Sequence, residues 1–145
     1  MINNDDHDAN SELNVFERIS ANTNISALSK YYNFEEYTNA VNALENNFIS
    51  IIHINIRSLQ KNFDLLKSML SCLPKLPDVI VISETWLRNS SKHLYYMDGY
   101  TAFHLVRTSK EHGGVSIYVK NEIHTDVLDQ YCIVNDDIEL QTIKI

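Results

Sequence analysis

The chain has 145 residues, of which 44% are hydrophobic and 10% aromatic, and its formal net charge is −7. This length and composition suffice for one domain with one buried core and exclude a chain that is disordered throughout. No apolar run approaches the roughly 20 residues that a bilayer-spanning helix needs, and the first ten residues are acidic and polar, unlike a signal peptide. An intracellular protein, nuclear or cytoplasmic, with no membrane association is therefore expected.

Charge is distributed unevenly along the chain. Residues 48–110 contain eight basic and four acidic side chains, so this segment carries +4, whereas residues 1–47 carry −6 and residues 111–145 carry −5. A positive field suits a polyanionic substrate, although this one is weaker than the field of a dedicated DNA-binding domain.

The first 30 residues are rich in Asn, Asp and Ser and contain few apolar side chains. Such a segment buries too little apolar surface to offset the entropy lost on ordering, so a disordered polar tail is predicted for residues 1–30. Residues 31–47 are predicted to hold a capped helix and a linker. Asn33 stands three residues before Glu36, as in a capping box, and apolar residues follow at helical spacing over about 34–45.

The next segment has the pattern of two strands flanking a helix. The run from Phe48 to Ile56 is rich in β-branched residues, which predicts a central strand covered on both faces. Apolar residues recur at 4-3-4-3 spacing from Leu59 to Leu73, which predicts an amphipathic helix, and Val79 to Ser83 predicts a second strand. The unit is therefore β-α-β with parallel strands.

The pattern then changes to that of an antiparallel hairpin. Its predicted strands are Tyr100 to Arg107 and Val115 to Val119, joined by a turn at Ser109 to Gly114. A short strand is predicted at Val127–Leu128 and a last one at Ile138 to Ile145. The expected fold class is thus α/β with a mixed sheet.

Polar side chains stand at the ends of the two parallel strands. Parallel strands point their carboxyl ends to one edge of a sheet, where ligands bind, so Asn55 and Glu84 are expected to share that edge. An amide and a carboxylate supply the oxygen ligands that a hard cation requires, and Mg²⁺ is the natural candidate. On spacing alone the alternative stays open that Asn55 is a turn residue and Glu84 a solvated carboxylate.

Five short motifs occur in order over residues 48–145. They are HINIRSL at 53–59, PDVIVISETWL at 77–87, DGY at 98–100, HLVR at 104–107 and GGVSIYV at 113–119. Together they resemble the endonuclease/exonuclease/phosphatase superfamily, and within it the apurinic-like endonuclease domain of non-LTR retrotransposons. The resemblance implies a partial DNase I-like four-layer sandwich, of which residues 48–145 are the N-terminal half: the first sheet with its flanking helices.

The same resemblance implies roles for individual residues. Asn55 matches the family Asn that orients the scissile phosphate and the metal ligands, and Glu84 matches the family Glu that binds Mg²⁺. Arg57 stands where some relatives have an acidic residue, so it either contacts a substrate phosphate or is solvated. The family reaction is hydrolysis of a phosphodiester, here the nicking of DNA, by a metal-activated water.

The sequence departs from the family pattern after its fifth motif. A later Tyr, an Asp/Asn pair and an Asp-His pair have no match up to Ile145. A truncated, retrotransposon-derived domain without activity of its own is therefore expected, with one sheet face left uncovered and open to a partner chain or a chaperone. The alternatives are a protein-binding remnant without catalysis and a phosphatase of the same superfamily.

Other conspicuous residues have simpler interpretations. Trp86 is expected in the core rather than stacked on a nucleotide. Gly113 and Gly114 are expected to be turn glycines, since no helix start follows to complete a phosphate-binding loop. None of the six histidines is expected to be catalytic, and His53 is expected to be packed within its strand. Tyrosines 95, 96 and 100 are expected to pack at the sheet edge.

Overall fold

The structure is a computed structural model that describes residues 31–43 and 48–145. The chain divides into two units, Met1–Asn33 and Phe34–Ile145. The predicted tail at residues 1–30 lies outside the described residues. Within the described ranges, no helix is long and apolar enough to cross a membrane.

In the described part of the chain, two α-helices lie where apolar residues recur at helical spacing. Helix α1 spans Phe34–Asn42 and helix α2 spans Leu59–Ser71. The predicted end of α1, at position 45, lies outside the described residues. Ser58 caps α2, because its Oγ accepts a hydrogen bond from the backbone N of Lys61 at 3.4 Å. The predicted apolar stripe of α2 is confirmed by its buried residues, Leu59, Leu66 and Leu70.

Four strands form one mixed sheet in the order β1-β2-β4-β3. They are β1 (Ile51–Asn55), β2 (Val79–Ser83), β3 (Tyr100–Leu105) and β4 (Val115–Lys120). Strand β1 runs parallel to β2, and β4 runs antiparallel to both of its neighbours. The predicted β-α-β unit, the hairpin and the mixed α/β class are therefore confirmed.

Strand β1 lies at an edge of the sheet, so the prediction of a central strand is wrong. It is also shorter than the run from Phe48 to Ile56. Ile51, His53 and Asn55 are exposed, and the residues between them, Ile52 and Ile54, pack against the core. The prediction failed because β-branched residues favour extended backbone equally at an edge and in the centre of a sheet.

Hydrophobic residues cover both faces of the sheet at its centre. Helix α2 packs on one face, against the fully buried Ile80, Ile82 and Tyr118. On the opposite face, Val79, Ile117 and Val119 are buried, and two residues from beyond β4 pack against them, Ile123 and Ile143. The expectation that one face of the sheet is uncovered is therefore wrong at the centre of the sheet. Exposed apolar surface remains at β1, where Ile51 is 63% exposed.

Two short ribbons follow the sheet. Strand β5 (Asp126–Val127) pairs with β8 (Ile143–Lys144), and β6 (Ile133–Val134) pairs with β7 (Glu139–Leu140). The predicted single strand from Ile138 to Ile145 is therefore broken into β7 and β8. It breaks because Thr142, between them, uses its backbone to bond Leu128 and Cys132 instead of continuing the β6–β7 ladder.

Candidate functional site

The loops that follow β1 and β2 run side by side at one edge of the sheet. Asn55 is directly opposite Ser83 in the parallel pair, and Ser83 immediately precedes Glu84. The backbone N of Ser58 donates to the carbonyl of Glu84 at 2.8 Å, and that of Leu59 donates to the carbonyl of Thr85 at 2.8 Å. The structure thus places Asn55 and Glu84 at the same edge, as β-α-β geometry requires.

The backbone of both loops adopts unusual conformations. Arg57, Ser58, Glu84 and Trp86 all have positive φ, with values of 46°, 91°, 56° and 53°. A left-handed conformation costs an L-residue about 1–2 kcal/mol, so four of them persist only because surrounding contacts impose them. Asn62 of α2 supplies one such contact, since its side-chain amide donates to the carbonyl of Ile56 at 2.8 Å.

Gly113 and Gly114 hold the Glu84 loop from the other side. The backbone N of Thr85 donates to the carbonyl of Gly114 at 3.2 Å, and that of Trp86 donates to the carbonyl of Gly113 at 2.8 Å. Both glycines have φ near +90°, which few other residues adopt. They are more than the turn glycines that the sequence predicts, because they extend the pairing of β2 and β4 past Glu84.

The carboxylate of Glu84 is anchored by the indole of Trp86. Trp86 Nε1 donates to Glu84 Oε2 at 2.7 Å. The indole in turn meets the ring of His112 edge to face, with centroids 4.4 Å apart. Trp86 is half-buried and belongs to neither hydrophobic cluster, so the expectation of a core residue is wrong. Its polar edge orients Glu84 and leaves Glu84 Oε1 outside this bond.

The other residues singled out in the sequence have different surroundings. Arg57 is exposed between β1 and α2. Tyr95 is buried against Phe63, and the hydroxyl of Tyr100 donates a hydrogen bond to the carbonyl of Pro77 at 2.6 Å. Tyr96 is 70% exposed, so the three tyrosines do not form one stacking surface.

Two strand histidines differ in their surroundings. His53, expected to be packed, is exposed, and its Nε2 lies 3.1 Å from Ser83 Oγ. His104 packs edge to face with Tyr118, and its Nδ1 lies 2.7 Å from Ser116 Oγ. Burial, assisted by the positive charge of Lys92, lowers the pKa of His104 from 6.5 to about 4. His104 is therefore a neutral packing residue at pH 7.

This depressed pKa predicts a loss of stability in mild acid. Below pH 6.5 the unfolded chain protonates His104 while the folded chain does not, so the free energy of unfolding should fall from about pH 6.5 to about pH 4. Urea titrations across this range should show a shallower fall for His104→Gln. The control is His124→Gln, because the His124 side chain is 92% exposed. Equal slopes for both variants would contradict the assignment.

The oxygen atoms that Asn55 and Glu84 offer are of the type that hard cations bind. Asn55 and Glu84 offer an amide oxygen and a carboxylate oxygen, and Mg²⁺ is commonly held by one or two protein oxygens, with water and substrate phosphate completing its shell. Within residues 31–43 and 48–145, no three His, Cys, Asp or Glu side chains group together as metal ligands would. Asn55 and Glu84 are chemically suited to supply part of the ligand shell of such a cation, and water or substrate would supply the rest.

No protein-family model and no curated protein sequence matches this chain. The chain is similar to a solved AP endonuclease. That crystal structure is of AP endonuclease LMAP from Leishmania major, with 24% sequence identity and a TM-score of 0.47. The similarity covers 55% of this chain and 27% of the other, so this chain spans about a quarter of that structure.

Proposed function

We propose that residues 48–145 form part of a metal-dependent phosphodiesterase domain of the endonuclease/exonuclease/phosphatase superfamily. The supporting observation is the placement of Asn55 and Glu84 at the carboxyl ends of paired parallel strands, with the Glu84 backbone held left-handed from both sides. Backbone strain that neighbouring contacts impose at a sheet edge is typical of functional sites.

In this proposal each residue has one task. Glu84 binds Mg²⁺ through the carboxylate that Trp86 orients, and Asn55 orients the scissile phosphate. Arg57, exposed at the same edge, contacts a phosphate of the substrate. Mg²⁺ held there would supply Lewis acidity toward the scissile phosphate and toward the attacking water, which is the chemistry that hydrolysis of a phosphodiester requires.

We further propose that the substrate is DNA and that the domain derives from a non-LTR retrotransposon. The sequence motifs NIRSL and SETWL resemble those of retrotransposon endonucleases more than those of phosphatases, which supports this origin. The 145 residues alone should nick DNA slowly or not at all. Among the described residues, no group of three His, Cys, Asp or Glu side chains includes Glu84, and general acid-base catalysis is worth about 10² to 10⁴ in rate.

The test is paramagnetic Mn²⁺ added to ¹⁵N-labelled protein. Amide signals around Asn55 and Glu84 should broaden first, and Mg²⁺ should reverse the broadening with a dissociation constant weaker than about 1 μM, because water fills most of the coordination sphere. Broadening elsewhere, or tighter binding, would contradict the site.

Substrate class is tested separately. Supercoiled plasmid DNA and a soluble inositol phosphate are each incubated with the protein and Mg²⁺. Trace nicking of DNA that EDTA abolishes supports the proposal, whereas release of inorganic phosphate would indicate a phosphatase.

A further inference from the structure

Arg107 and Glu139 form a largely buried ion pair beside the candidate site. Arg107 Nε lies 3.0 Å from Glu139 Oε1, and the two side chains are only 15% and 16% exposed. The guanidinium donates hydrogen bonds to the carbonyls of Asn135 and Asp136, each at 2.8 Å, and its contact with Glu139 Oε1 is an ion pair without a directed hydrogen bond. A charged pair removed from water needs such additional bonds, so this guanidinium is fixed in position.

The carboxylate of Glu139 rests on the two glycines that precede β4. Glu139 Oε2 accepts a hydrogen bond from the backbone N of Gly114 at 2.8 Å. A Cβ atom on Gly113 would overlap the Glu139 carboxylate. The carboxylate therefore occupies the space that a side chain at position 113 would need.

The same glycines bond the loop that carries Glu84. Their carbonyls accept from Thr85 and Trp86, and the indole of Trp86 donates to the Glu84 carboxylate. A continuous series of contacts thus joins the ion pair to the proposed metal ligand.

We propose that Arg107 and Glu139 are a positioning pair for Glu84. The pair fixes Gly113 and Gly114, and the glycines hold the loop in which Glu84 and Trp86 are left-handed. Without the pair, the loop relaxes toward ordinary φ values and the indole no longer fixes the carboxylate. The importance of this geometry for metal binding rests on the proposed function, whereas the geometry itself does not.

A second ion pair provides a matched control. Lys120 Nζ lies 2.8 Å from Asp78 Oδ1, and these side chains are 23% and 15% exposed. Asp78 directly precedes β2, whereas Glu84 directly follows it, so this pair lies at the opposite end of the same strand. An ion pair that only stabilises the fold should behave alike at both ends.

The test uses Trp86, which is the only tryptophan in the chain. Glu139→Gln and Asp78→Asn are compared with the unmodified protein by urea unfolding, by the NMR signal of the indole N–H in metal-free buffer, and by Mn²⁺ titration. Both variants should lose stability. Only Glu139→Gln should shift the indole signal. Its Mn²⁺ affinity should fall about tenfold, because losing a residue that orients a metal ligand typically weakens binding by about 10- to 100-fold.

The outcomes separate the two proposals. An unshifted indole signal in folded Glu139→Gln would overturn the positioning role, and so would an equal shift in Asp78→Asn. If Glu139→Gln does not fold, Arg107→Lys, which keeps the charge but not the guanidinium fork, is judged by the same criteria. A shifted indole in a protein that binds no Mn²⁺ near Glu84 would support the positioning geometry and overturn the proposed function.

Discussion

Replacing Gly114 by alanine should lower the free energy of unfolding by about 3 kcal/mol. Two costs add. Gly114 has φ +87°, where alanine is disfavoured by about 1–2 kcal/mol, and its new Cβ would stand 2.5 Å from Thr85 Oγ1. Thr85 is fully buried and has little room to move, so overpacking adds about 1–3 kcal/mol. Against a usual domain stability of about 5–15 kcal/mol, urea unfolding should register this loss clearly.

Gly99→Ala is the matched control for backbone strain. Gly99 has φ +81°, but no atom lies within 4 Å of the Cβ that alanine would add. This variant should therefore lose only the conformational part. The double variant Thr85→Ala/Gly114→Ala should recover part of the packing cost, because Thr85 Oγ1 has no hydrogen-bond partner among the described residues and its removal makes room. Equal losses for Gly99→Ala and Gly114→Ala would show that Thr85 adapts without strain.

The local spacing of apolar residues was enough to predict most of the fold. The stripe from Leu59 to Leu73 and the short run from Val79 to Ser83 specify a helix and a strand through contacts near in sequence, and chain connectivity then determines that β1 and β2 are parallel. Strand order is different. The position of β1 at the sheet edge depends on which strand pairs beside it, and its isoleucines carry no information on that.

The candidate site was likewise predictable only where it depends on strand direction. Asn55 and Glu84 were brought together by strand direction alone. The contacts that hold Glu84 come from farther away: Glu139 acts from a strand 55 residues later, in a segment whose sequence predicts one continuous strand. No regular spacing connects residues 84, 107 and 139. The one local signal was the Gly113–Gly114 pair, since adjacent glycines before a strand indicate either a turn or a close approach of backbone.

The bond from Trp86 to Glu84 illustrates why residue type alone misleads. A tryptophan next to a buried strand is usually core, yet the left-handed backbone at Trp86 turns its indole back toward the residue two positions earlier. Sequence patterns apply to backbone with ordinary φ values, so they could not predict the side-chain directions at Glu84 and Trp86.

Replacing Glu84 by glutamine should strongly weaken the binding of divalent metal at the sheet edge while the fold is retained. Glutamine has nearly the same shape, and its amide oxygen can still accept the indole N–H of Trp86. It lacks the negative charge that offsets dehydration of the ion, so Mn²⁺ affinity should fall at least about 10- to 100-fold. The control is Glu111→Gln in the hairpin loop, because the Glu111 side chain is 80% exposed and its ion-pair partner Arg88 is exposed as well. Its Mn²⁺ titration should match that of the unmodified protein.

A complementary variant tests whether Asn55 belongs to the same site. Asn55→Asp places a second carboxylate opposite Ser83, one residue from Glu84 along the neighbouring strand. If both side chains face one ion, added ligand charge should strengthen Mn²⁺ binding, by about tenfold for each 1.4 kcal/mol gained. Without metal, the two like charges should repel and lower the free energy of unfolding, and saturating Mg²⁺ should restore it. An Asn55→Asp protein with unchanged affinity and unchanged stability would mean that the two side chains do not share an ion, and the proposed metal site would have to be given up even if Glu84→Gln behaves as expected.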